Sequence, residues 1–192
     1  MSIPWASSAL ILATTGGQPL PDQLDILRAA DTTPQIQLLL DSSGSMGSGA
    51  APTVCDYYPT SGVSLSGSYL SGETWYLSRT DQLKAALTGC RSPDDGVLDT
   101  WSDRVLFAVR EFGGSRTGLL SGFDPSLSNL SSLEAAVLGL RASGGTPMAP
   151  AYREGAAYFD AFFSDANTEE CRQNYLVVMS DGVGNSPDPV PF

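Results

Sequence analysis

Histidine is absent from this 192-residue sequence. Without imidazole the chain lacks the commonest general base, the Ser-His-Asp arrangement of hydrolases and the usual ligand of catalytic zinc. Lysine occurs once, at Lys84, and no Gly-Lys-Ser or Gly-Lys-Thr loop is present, which excludes a P-loop nucleotide site. Three cysteines are too few for a disulfide-stapled scaffold or a four-cysteine zinc site. The chain therefore lacks the residues that most catalytic classes need.

Basic residues and long apolar runs are also scarce. Ten Lys and Arg residues stand against 21 Asp and Glu residues, which gives a net charge of -11. Such a surface repels nucleic acid and anionic membranes. No stretch approaches the ~20 apolar residues that span a bilayer, and the apolar run at residues 9–13 has no basic residue before it, so no signal peptide is predicted in this chain. Neither nucleic acid nor the membrane interior is expected as a partner.

Apolar runs of strand length alternate with segments of helical spacing. The predicted strands occupy residues 36–40, 105–112, 116–123 and 175–179. The predicted helices occupy residues 22–30, 81–87, 130–140 and 149–163. Thr80 is expected to cap the second of these helices, and Ser131 or Ser132 the third. This alternation predicts an α/β fold with a mostly parallel central sheet flanked by helices.

Changes in composition divide the chain into segments. Residues 1–33 are predicted to be an irregular lead-in, and residues 34–185 to form the domain. Residues 47–78 are rich in Gly, Ser, Thr and Pro, which predicts a long loop or an insertion without a core of its own. Residues 186–192 form a Pro-rich tail that is expected to be neither helix nor strand.

Oxygen-bearing side chains follow the predicted strand ends. Asp41, Ser43 and Ser45 alternate in a turn after the first strand, Thr146 follows a Gly-Gly pair, and Asp181 follows the last strand. Taken singly, these features are typical of a polar turn, a helix N-cap and a second turn. Ligands of parallel sheets bind beyond the carboxyl ends of the strands. Two carboxylates and three hydroxyls suit Mg²⁺, Mn²⁺ or Ca²⁺ rather than zinc, so together they predict one divalent-cation site.

The order of these residues resembles the metal-ion-dependent adhesion site (MIDAS) of von Willebrand factor A (vWA) domains, over roughly residues 34–185. The resemblance implies a Rossmann-like vWA fold. It also implies that Ser43, Ser45 and sometimes Thr146 contact the ion directly, whereas Asp41 and Asp181 act largely through bound water. The remaining coordination position is left for the carboxylate of a partner. Neutral hydroxyls compensate a divalent ion poorly, so such an ion would seek an acidic residue.

Two stretches carry a narrower resemblance. Residues 144–151 (GGTPMAPA) and 171–182 (CRQNYLVVMSDG) are similar to the vWA region of type IV pilus tip adhesins of the PilY type. A cysteine before the final strand and a long insertion after the Asp-x-Ser-x-Ser loop are usual there. This resemblance implies an exported protein of the periplasm, pilus tip or bacterial cell surface, active in pilus assembly, surface attachment and twitching motility. Its expected partners are minor pilins, other pilus tip components, or a protein ligand or host receptor that offers an acidic residue.

The sequence departs from the vWA pattern after Asp181. The family resemblance implies two further strands there, whereas the sequence ends eleven residues later, so we expect the C-terminal strands to be missing. Of the three cysteines, Cys55 and Cys90 flank the irregular region and are the first choice for a disulfide that fixes the insertion. The alternative is three reduced thiols, and the pairing would leave Cys171 without a partner in the chain.

Two other classes of protein share parts of this pattern with adhesion domains. Haloacid-dehalogenase-like phosphatases need a second acid two residues after the first, a position that Ser43 holds here, and no Gly-x-Ser-x-Gly elbow is present. No enzymatic activity is therefore expected. The remaining alternative is an intracellular vWA protein that mediates metal-dependent contacts with a chelatase or an AAA-ATPase. Reduced cysteines would favour that alternative, and an oxidised pair would argue against it.

Overall fold

A computed structural model describes residues 33–114, 116–165 and 173–182 of the chain, which all belong to one compact unit. Its strands are β1 (Gln35–Asp41), β2 (Ala51–Pro52), β3 (Tyr69–Ser71), β4 (Thr74–Leu77), β5 (Leu106–Gly113), β6 (Arg116–Ser121) and β7 (Asn174–Met179). Its α-helices are α1 (Arg79–Thr88), α2 (Val97–Trp101), α3 (Leu130–Leu138) and α4 (Met148–Asp165). Among the described residues, no helix is both long and apolar enough to cross a membrane.

The main sheet has the strand order β6-β5-β1-β7. β5 and β7 lie on either side of β1 and both run parallel to it, whereas β6 pairs antiparallel with β5. The predicted α/β class and mostly parallel sheet are therefore confirmed, and the arrangement is compatible with a Rossmann-like fold. Because β1 and β7 are parallel neighbours, the residues that follow them emerge at the same edge of the sheet.

β1 is buried because its side chains pack on both faces of the sheet. Leu38 and Leu40 join a core cluster with residues of α1, α2 and α3, among them Leu87 and Leu133. Leu39 points the other way and packs with Phe112 of β5 and Ala151 of α4. Side chains of successive strand residues alternate between faces, so an uninterrupted apolar run is what a strand covered by helices on both sides requires.

The element boundaries agree with the sequence predictions more closely than the helix caps do. Ser78, not Thr80, caps α1, because Ser78 has an extended backbone and its hydroxyl accepts a hydrogen bond from the Asp81 amide. Asn129 precedes α3 and forms no side-chain cap, since its amide donates to the carbonyl of Gly122 instead. Helix α2 was not predicted. The helix predicted at residues 22–30, residues 1–32 of the lead-in, the tail at residues 186–192 and Cys171 lie outside the described residues.

The insertion at residues 47–78 has more structure than the sequence suggested. β2, β4 and β3 form a small antiparallel sheet, and Tyr58 and Leu77 are buried with Ala85 of α1. The segment has no core of its own, as predicted from its composition, but it shares a small apolar cluster with α1. The predicted disulfide is confirmed: Cys55 and Cys90 are bonded, with their Cα atoms 4.6 Å apart. It ties the insertion to the segment that follows α1.

Candidate metal site

Asp41 ends β1 with a fully buried side chain whose two carboxylate oxygens both accept hydrogen bonds. The amide of Ser43 donates to Oδ1 at 2.7 Å, which closes a tight turn directly after the strand. The hydroxyl of Ser180, at the end of β7, donates to Oδ2 at 2.5 Å. The carboxylate is therefore fixed in orientation and joins the loops that follow two neighbouring strands.

The two predicted serines and Asp181 continue this network. The hydroxyls of Ser43 and Ser45 lie 3.1 Å apart, and that of Ser45 donates to Oδ1 of Asp181 at 2.9 Å. Ser43 is buried, whereas Ser45 is exposed, so the network opens to solvent on the side of Ser45. The structure thus brings four of the five predicted residues together, although Asp41 and Asp181 are 140 positions apart in the sequence.

A short 3-10 helix, Gly44–Gly47, holds the serines in place. The amide of Met46 donates to the carbonyl of Ser43 at 3.1 Å, and the Met46 side chain is buried below the turn. Ser43 itself has an extended backbone, with φ of -66° and ψ of 163°. The change from the extended backbone of Ser43 to the 3-10 helix that follows it accompanies the close approach of the Ser43 and Ser45 hydroxyls.

Thr146 belongs to a loop that is hydrogen-bonded to this turn. The amide of Ser143 donates to the carbonyl of Ser42 at 2.7 Å, and the amide of Gly44 donates to the carbonyl of Gly144 at 2.9 Å. Gly144 has a φ of +68°, and a Cβ there would overlap the Cα of Gly114 after β5. Thr146 follows two residues later with 8% of its surface exposed, so it lies in the loop that contacts the Asp41 turn, and α4 starts two residues further on at Met148.

Two site residues were not identified from the sequence. Ser180 donates a hydrogen bond to Asp41, and its position directly before Asp181 is the one feature of the sequence that could have indicated this role. Arg79, the first residue of α1, donates from Nη1 to Oδ2 of Asp181 at 2.5 Å and to the carbonyl of Ser45 at 3.3 Å. No spacing in the sequence connects Arg79 with the motif, because it reaches the site only through the way the insertion returns the chain to the start of α1.

A buried polar cluster fixes α1 beneath Arg79. Asp81 accepts hydrogen bonds from the amide of Ser66 at 2.7 Å and the hydroxyl of Ser68 at 2.5 Å, and Nζ of Lys84 lies 3.7 Å from its Oδ1. Burial lowers the pKa of Lys84, opposed by the negative charge of Asp81. Burial, together with that same charge, raises the pKa of Tyr58. These contacts join the insertion to α1 and so fix the position of Arg79, the first residue of that helix.

The donor set fits a hard divalent cation. It consists of two carboxylates and the hydroxyls of serine and threonine, without sulfur or imidazole. In the part of the chain that the structure describes, no three acidic, histidine or cysteine side chains converge, and the predicted site contains only two carboxylates. Asp41, Ser43, Ser45 and Asp181 could hold the ion, directly or through water. A cavity of about 330 Å³ lies beside Asp181, lined in part by Met46, Leu83 and Met179.

Comparison of the chain with protein-family models, with curated proteins and with solved structures found no match. The resemblance to vWA domains therefore depends on the motif residues and the geometry described above.

Proposed function

We propose that this chain is a vWA-type adhesion domain that binds a divalent cation, most simply Mg²⁺, at Asp41, Ser43, Ser45, Thr146 and Asp181, and offers that ion to an acidic residue of a protein partner. The observation that carries the proposal is the continuous hydrogen-bond network from Asp41 to Asp181 at the carboxyl ends of β1 and β7. Few anionic ligands surround such an ion, so its charge is incompletely compensated and available to a carboxylate from outside.

The proposal extends to a bacterial pilus tip. The Cys55–Cys90 disulfide supports an oxidising location such as the periplasm or the cell surface, and it argues against the intracellular chelatase or AAA-ATPase alternative. The stretches at residues 144–151 and 171–182 support a type IV pilus tip adhesin of the PilY type. In that role the domain would contact pilus components or a surface receptor during pilus assembly, attachment and twitching motility. No enzymatic step is proposed.

The metal-binding part is tested by calorimetric titration of Mg²⁺, Mn²⁺ and Ca²⁺ into the wild type and Ser43→Ala. We expect the wild type to bind at one site and the substitution to weaken binding by about tenfold or more, since it removes a buried oxygen donor from the centre of the network. Ser131→Ala is the matched control, because Ser131 is exposed in the first turn of α3.

Equal affinity of the wild type and Ser43→Ala would remove Ser43 from the proposed ligand set. Absence of binding in the wild type, with Ser131→Ala equally inert and both proteins folded, would contradict the proposed function as a whole.

A further inference from the structure

Arg79 brings a positive charge into the proposed cation site. Its guanidinium contacts Oδ2 of Asp181 and the carbonyl of Ser45, and the Ser45 hydroxyl occupies the other oxygen of Asp181. Both carboxylate oxygens of Asp181 are therefore engaged by donors from within the protein. The Asp181 side chain is 9% exposed and that of Arg79 is 44% exposed. The carboxylate is therefore covered, whereas the guanidinium that pairs with it remains accessible to solvent.

The Arg79–Asp181 pair makes the net charge of the network less negative. Asp41 and Asp181 supply two negative charges, and Arg79 offsets one of them. The guanidinium and a divalent cation repel each other in this partly buried site, and the repulsion lowers the affinity for the cation. An incoming divalent ion therefore meets a guanidinium that already occupies the carboxylate it needs.

The path of the Arg79 side chain fits this role. Gly49 has a φ of +65°, and a Cβ there would lie 2.8 Å from Nε of Arg79, so the guanidinium lies against the backbone of the insertion. The rest of α1 is held by the buried Asp81 cluster. The backbone of Arg79 is thus fixed, whereas its side chain is half-exposed and its guanidinium is open to solvent on one side.

We infer that Arg79 competes with a divalent ion for Asp181: its guanidinium pairs with the carboxylate that the ion would use. This inference rests on the proposed function. It makes Arg79 a residue that sets the cation affinity of the site and offsets one of its two negative charges. The pairing costs little to open because the Arg79 side chain is half-exposed and exposed ion pairs are weak.

The test is calorimetric titration of Mn²⁺ into the wild type, Arg79→Gln, Arg79→Lys and Arg104→Gln, each checked for an unchanged thermal unfolding profile without metal. Arg79→Gln removes the competing charge, so we expect it to bind Mn²⁺ about fivefold more tightly than the wild type. Arg79→Lys keeps the charge and should stay close to the wild type. Arg104 pairs with Asp103 on the exposed segment before β5, so Arg104→Gln controls for a general change in protein charge.

The outcomes separate the two proposals. Equal or weaker binding by Arg79→Gln, with the wild type binding normally, would overturn the role of Arg79 and leave the cation site intact. An increase shared by Arg104→Gln or Arg79→Lys would also overturn it, since the effect would then not be the loss of this one charge. If neither the wild type nor Arg79→Gln binds Mn²⁺, the cation site itself is refuted, because removal of the competitor would have left it open.

Discussion

Single side chains in β1 serve two different purposes. Asp41, at its carboxyl end, is buried with both carboxylate oxygens paired. Gln35 and Gln37, at its other end, are fully buried, and neither side-chain amide has a hydrogen-bond partner in the described part of the chain. A buried polar group without a partner costs about 1–3 kcal/mol of stability. These glutamines therefore reduce the stability of the central strand.

Gln37→Met is expected to raise the free energy of unfolding by about 1 kcal/mol, because an unbranched apolar side chain replaces an unpaired amide in the same space. Urea unfolding followed by circular dichroism measures the change. Gln82→Met is the matched control, since the Gln82 amide donates to the carbonyl of Leu77 at 2.7 Å and its loss should cost stability. A similar loss in both variants would show that the Gln37 amide is satisfied in solution.

The sequence predicted the site residues that belong to the motif, and it missed Ser180, which precedes Asp181, and Arg79, which reaches the site through tertiary structure. Asp41, Ser43 and Ser45 are close in sequence, and Asp181 follows a recognisable strand, so their meeting could be expected from a parallel sheet. Arg79 lies beyond an insertion whose path no local pattern encodes. The small sheet, the disulfide and the Asp81 cluster all connect that insertion with α1 and its flanks, and Arg79 starts α1.

At the scale of elements, strand positions were predictable and helix ends were not. β1 is an apolar run buried as a covered strand requires. β7 lies where it was predicted, but the expectation of a buried strand there was wrong, because β7 is an edge strand of the described sheet and Tyr175 and Val178 are exposed.

Either Ser78 or Thr80 could cap α1, and the cap is the one with an extended backbone. Because β4 ends at Leu77, the extended residue is Ser78. The insertion was underestimated because its core is shared with α1 and is therefore not visible as an apolar pattern within residues 47–78.

The disulfide makes a prediction for the insertion. The double variant Cys55→Ser with Cys90→Ser should lose about 2–4 kcal/mol of unfolding free energy, because the bond closes a loop between positions 35 apart and restricts the unfolded chain. Urea unfolding of the wild type with and without reducing agent measures the same quantity. We also expect thiol titration of the unreduced, unfolded protein to find Cys171 as the free cysteine. Identical unfolding midpoints in oxidising and reducing buffer would contradict a formed bond.

At the scale of the whole molecule, the net charge favours cations in general, and the sheet topology favours one region for a bound ion. The net charge of -11 raises the local concentration of cations around the protein. The parallel strands β1 and β7 present their carboxyl ends together, where ligands of such sheets bind. Long-range attraction is screened by salt while the contacts of the site are screened much less, so cation affinity should fall only moderately with ionic strength.

The most direct test is a crystal structure of the wild-type protein at saturating Mn²⁺, with the ion located by its anomalous scattering. The account predicts a peak at the carboxyl ends of β1 and β7, within about 2.6 Å of the hydroxyl oxygens of Ser43 and Ser45. It further predicts that the guanidinium of Arg79 has left Asp181. A site without a peak, in crystals where Mn²⁺ is saturating and the Asp41 turn is ordered, would contradict it.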